Sequence, residues 1–118
     1  TITASSDRPM FSIASMLVPS NDAFLAFSPA GVALFDESDT LRTTGEINTD
    51  IIDQLTVWDA GTELNQAGGA GPDQAPRQAD PNTGADEGSG LLRMYNSPVW
   101  SLPPLESTVR VTIEPVAP

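Results

Sequence analysis

The chain has 118 residues without Cys, His or Lys, and 16 acidic residues against five Arg give it a formal net charge of −11 at pH 7. Ser-His-Asp and Cys-His triads, Cys- or His-ligated zinc and Schiff-base lysines are therefore excluded, and so acidic a surface repels nucleic acid and anionic lipid. A hydrophobic content of 39% permits a single domain with a core, 11 Pro and 9 Gly predict many turns and little helix, and no apolar run approaches the ~20 residues of a membrane span.

In chain order, Thr1-Ile-Thr-Ala4 reads as the tail of a strand already under way, with the expectation that further sequence precedes it. Ser5 to Pro9 is turn chemistry. The segment from Met10 to Val18 carries apolar or small side chains on both alternating faces and no charge, which predicts a strand covered on both sides. Pro19 ends that ladder, Ser20-Asn21-Asp22 makes a turn, and Ala23 to Phe27 returns as strand. Ser28 to Gly31 is a hairpin-like connection into a strand over 31–35.

Residues 36–50 are polar, and Ile51 to Trp58 is expected as the next strand. Residues 64–90 hold one large aliphatic side chain and no aromatic, and are expected as a long irregular loop. Order resumes at Leu91 to Tyr95, and Val109, Val111 and Ile113 alternate with Arg110, Thr112 and Glu114 as a final strand with one wet face. Six or seven short strands without a sustained 3.6-residue pattern point to an all-β fold, an antiparallel β-sandwich, since a parallel sheet requires crossover helices.

Two strand-to-loop junctions carry acids, one at Asp22 and one at Asp59-Ala-Gly-Thr-Glu63, and function is expected there. The segments Met16-Leu-Val-Pro-Ser-Asn-Asp22-Ala-Phe24, Asp59-Ala-Gly-Thr62 followed by Glu63, and Val109-Arg-Val-Thr-Ile113 together resemble the spondin N-terminal domain, the module of F-spondin, mindin and many microbial secreted proteins. Ala75-Pro-Arg-Gln78 and Pro81-Asn-Thr-Gly84 are similar to stretches of its microbial members. The likeness covers most of residues 5–114. It implies a C2-like β-sandwich, an extracellular location, a non-catalytic adhesion or assembly role, and a calcium ion held by acidic loops through Asp22, Asp59 and Glu63. The partners it implies are calcium and a protein or extracellular-matrix surface. Glu63 stands where animal members have Asp, and the strands that open the module are not in this chain, which corresponds to its larger, C-terminal share.

Chemistry accommodates that ion. Calcium takes six to eight oxygens at ~2.3–2.6 Å from flexible loops, Gly61 frees the local backbone to bend, and Asp59 and Glu63 are four residues apart across a turn. The competing reading is that Asp22 and Asp59 each close their own turn through a side-chain hydrogen bond. Asp36, Glu37 and Asp39, and Asp73, Asp80, Asp86 and Glu87 in the long loop, read as solvated acidic turns rather than as further cation sites. Trp58 is expected to anchor its loop, and Tyr95 and Trp100 to form a contact surface. A second class of function is a hydrolase using a carboxylate pair with Asp59 as one member. The apparent lack of opening strands also predicts open sheet edges, which recruit strands from other copies and can assemble head to tail into filaments.

Overall fold

A computed structural model describes residues 1–116. The fold is β-rich: among the described residues six short strands lie in two antiparallel sheets, accompanied by little helix. The chain divides into two compact units, the first made of Thr1–Ile13, Phe27–Leu55 and the chain from Pro104 onward, the second of Ala14–Ala26 and Thr56–Pro103.

In the first unit, β1 (Met10–Phe11) and β4 (Val32–Ala33) pair antiparallel, with Phe11 opposite Val32. The turn leading into β4 closes through the Gly31 N–H and the Ser28 carbonyl at 2.8 Å. Gly31 has φ +72°, and a Cβ there would lie 2.7 Å from the Phe11 carbonyl oxygen, so the position requires glycine. Against this ribbon packs α1 (Thr44–Gln54), which contributes Ile47 and Ile51 to a core with Phe27, Val32 and Leu34.

The helix corrects the reading of Ile51 as the start of a strand, which begins only at Leu55, and gives regular structure to the end of the polar stretch 36–50. Thr43 and Glu46 form a capping box: the Thr43 hydroxyl accepts from the Glu46 N–H at 3.3 Å, and the Glu46 carboxylate accepts from the Thr43 N–H at 2.9 Å. Ile47 and Ile51 are one turn apart and present one apolar stripe, too narrow to register as a sustained period. The helix stops where Leu55 takes extended backbone, and the β-branched Thr56 and Val57 continue as strand.

The other sheet has four strands in the order β2-β3-β5-β6 and belongs to the second unit except for Phe27 and Leu55 at the strand ends. These strands are β2 (Ala14–Met16), β3 (Ala23–Phe27), β5 (Leu55–Asp59) and β6 (Arg93–Met94). The expected single strand over 10–18 is thus split between two sheets, and the segment expected to be covered on both sides is exposed along all of β2. Ala14 and Ser15 offer little apolar area to bury, and an edge strand is satisfied by one neighbour. The buried strand is its partner β3, where Ala23, Leu25 and Ala26 are inside.

Residues 64–90 contain no helix or strand. They are tied instead by single bonds: Leu64 N–H to the Ala85 carbonyl at 2.7 Å, Gly69 N–H to the Pro19 carbonyl at 2.9 Å, and the fully buried Gln74 side chain to the Ala67 carbonyl at 2.9 Å. Residues 109–113, expected as the closing strand, follow a short helix α2 (Leu105–Thr108) and show the anticipated alternation. Val109, Val111 and Ile113 are half-buried while Arg110 and Thr112 are exposed, but no ladder forms. Thr1 to Ala4, expected as the tail of a strand, form no ladder either. Among the described residues no helix is long and apolar enough to cross a membrane.

Candidate functional site

The two acid-bearing junctions meet in the second unit. After Pro19 the buried Ser20 closes the turn, its hydroxyl accepting from the Ala23 N–H at 3.1 Å, and this delivers Asn21 and Asp22 to the start of β3. The end of β5 lies alongside, because the Ala60 N–H donates to the Asp22 carbonyl at 3.3 Å. Gly61 then turns the chain at φ +69°, and a Cβ there would fall 2.6 Å from the Leu91 carbonyl oxygen, which excludes any side chain.

Each of the three expected carboxylates has a distinct set of partners. Asp22 Oδ2 accepts from the Thr62 N–H and the Thr62 hydroxyl, both at 2.7 Å, and from the Glu63 N–H at 3.0 Å. Asp22 Oδ1 is buried and has no partner among the described residues. Asp59 is fully buried; its Oδ1 accepts from the Gly61 N–H at 2.8 Å, and its Oδ2 accepts from Asn65 Nδ2 at 2.8 Å and Arg93 Nη2 at 3.0 Å. Glu63 is buried, with Oε1 accepting from the Gly84 N–H and Oε2 from Asn21 Nδ2, both at 3.3 Å.

The structure therefore joins Asp22 to Glu63 through the loop backbone and turns Asp59 toward Arg93. Asp59 does close its own turn. Asp22 does not: it reaches across to the second junction and cross-links the two loops.

Arg93, Asn21 and Asn65 are the residues that sequence reasoning missed. Arg93 stands directly opposite Asp59 in the β5–β6 register and bonds Glu87 as well as Asp59. Its hydrogen bond to Glu87, followed by the charges of Asp59 and Glu87, raises the guanidinium pKa against the opposing effect of desolvation. The available signal was an Arg just beyond an acidic loop, but the cross-strand pair is visible only once the strands are paired. Tyr95 lies nearby. Burial pushes its phenol up, a hydrogen bond with Ser97 opposes that, and the charges of Asp59 and Asp22 add to the rise.

A calcium ion needs a shell of carboxylate, carbonyl and water oxygens with free lone pairs. Here N–H and O–H donors occupy the carboxylate oxygens, a guanidinium sits on Asp59, and one buried oxygen is left open. Among the described residues no group of three or more acids is placed to hold a metal ion. As arranged, the set does not fit calcium. Asp59 is equally ill placed for hydrolysis, having no exposed surface and a cationic partner.

Of the remaining acids, Asp36 and Asp86 close turns. Asp36 Oδ1 accepts from the Ser38 and Thr40 N–H groups at 2.8 and 2.9 Å, and Asp86 Oδ1 accepts from the Gly88 N–H at 2.6 Å. Tyr95 and Trp100, expected as a contact surface, pack on each other edge-on with centroids 6.2 Å apart, and the Tyr95 hydroxyl donates to the Trp100 carbonyl at 3.2 Å. The Trp100 ring covers Gly68, so both aromatics serve the loop. Compared with family models, curated proteins and solved structures, the chain matches none of them.

Proposed function

We propose that this chain is a non-catalytic extracellular adhesion or assembly module of the C2-like β-sandwich kind, whose acidic loops are braced by its own donors. The observation that carries this reading is the fully buried Asp59 bonded to Gly61, Asn65 and Arg93. Chemistry at a carboxylate needs an oxygen free to reach a substrate, and here the most buried acid is spent in fastening the loop to β6. The chain also lacks His, Cys and Lys, and the resemblance to spondin modules supports the extracellular assignment. The test exposes the immobilised chain to extracellular-matrix proteins and polysaccharides and follows turnover of the same glycans. Binding without turnover is expected, and hydrolysis that disappears in Asp59→Asn would overturn the reading.

A second reading, calcium on Asp22, Asp59 and Glu63, has one specific observation in its favour: the buried, unpartnered Asp22 Oδ1. It requires Arg93 to release Asp59. Thermal melts in calcium and in chelator distinguish the two readings, because only a calcium site gives a midpoint that rises with the free ion.

A further inference from the structure

Residues 109–114 pair with no strand among the described residues. Val109 takes extended backbone, and the two-residue alternation of burial continues it: Val111 and Ile113 pack against the core of the first unit, and Arg110, Thr112 and Glu114 face solvent. One edge is already engaged. Asn48 of α1 receives the Ile113 N–H on its Oδ1 at 3.0 Å and donates Nδ2 to the Ile113 carbonyl at 3.4 Å.

In an extended chain the N–H and C=O of one residue point to the same side, and those of its neighbours point to the other. The backbone groups of Arg110, Thr112 and Glu114 therefore point away from Asn48, and among the described residues none of them has a hydrogen-bond partner. A groove of about 700 Å³ adjoins the Thr112–Glu114 end of this segment, lined by Phe11, Leu34 and Ile47 and by the exposed apolar side chains of Ile2, Leu41 and Val116. An open edge with apolar side chains next to it is a strand acceptor.

We propose that the occupant is the same segment of a second copy, paired antiparallel about Thr112 in a closed two-fold dimer. The charges select that register. With Thr112 opposite its own counterpart, Arg110 of each copy faces Glu114 of the other, Val111 faces Ile113, and every outward-pointing backbone group meets another. Shifting the pairing to put Arg110 opposite Arg110 sets like charges against each other, and centring it on Val111 leaves both charges opposite Thr. Opposite charges directly across an antiparallel pair stabilise it and like charges disfavour it. Arg110 is one of only five cations on a chain with 16 acids, so a self-complementary Arg–Glu pair on a free edge distinguishes this surface from its repelling surroundings. The interface is isologous and closes on itself, unlike a head-to-tail strand exchange.

Sedimentation velocity on the 118-residue chain, from micromolar to millimolar protein, tests this. The unmutated chain is expected to dimerise reversibly. Arg110→Glu and Glu114→Arg, both on the exposed face, should each weaken the dimer by about tenfold or more, because each faces like charge with like. An equimolar mixture of the two variants should dimerise again, since every mixed pair is then Arg opposite Glu. A monomer at all concentrations, species that grow beyond the dimer, or a dimer indifferent to both substitutions would overturn the proposal. So would single variants that dissociate without rescue on mixing, which would refute the register.

Discussion

Replacing Asp59 by Asn separates an internally braced loop from a calcium-held one. The substitution keeps the shape and removes one acceptor. In the parent, Asp59 receives three donors: the Gly61 N–H on Oδ1, and Asn65 and Arg93 on Oδ2. An Asn at this position has a single acceptor oxygen, so whichever way the amide turns, its NH₂ faces N–H groups at a site with no solvent exposure. A buried donor left unsatisfied costs about 1–3 kcal/mol. The lower half of that range is expected, because the Arg93 side chain keeps 37% exposure and finds water when its partner loses charge. For a unit of this size each kcal/mol lowers the melting midpoint by roughly 4–8 °C. Both tryptophans, Trp58 and Trp100, lie in the second unit, so their fluorescence reports that unit alone. The loss should be the same in calcium and in chelator. A variant as stable as the parent, or a loss seen only when calcium is present, would refute the internal brace and favour the metal.

Further outcomes follow from local geometry. Thr43→Ala removes the hydroxyl of the capping box and should destabilise the first unit by about 1 kcal/mol, read from helical circular dichroism during a melt. The Thr43 hydroxyl first, and its N–H second, hold the Glu46 carboxyl below the usual carboxylate range. That contribution is present above the unfolded pKa and disappears as pH falls through the folded one, so Glu46→Gln should flatten the acid limb of the stability profile. Gly68→Ala places a methyl group inside the Trp100 ring, and should shift tryptophan emission to the red as the ring is driven from its seat. Unchanged emission would show that Trp100 does not pack on this loop.

The lesson about legibility is local. The strand over Ala23 to Phe27, the turns at Ser28 to Gly31 and at Asp36, and the irregular course of 64–90 follow from nearest-neighbour chemistry: β-forming side chains, Pro and Gly, and carboxylates that bond their own backbone. The acids at Asp22, Asp59 and Glu63 form one neighbourhood because one junction opens β3 and the other ends β5, and those two strands lie side by side. Helix α1 was also written in the sequence, in Thr43, Glu46 and the Ile47–Ile51 spacing, but two apolar residues in a polar run do not outweigh a β-branched pair such as Ile51-Ile52 when periodicity alone is read. The occupants of the site were decided elsewhere. Arg93 reaches Asp59 across 34 residues only because β6 adds to β5 in one register, and Asp22 bonds Thr62 across 40 residues only because the two loops meet. Composition and spacing determine which side chains can carry charge at a strand end. Whether that charge meets a metal, a guanidinium or a backbone N–H depends on which strands become neighbours, and pairing is a property of the whole chain.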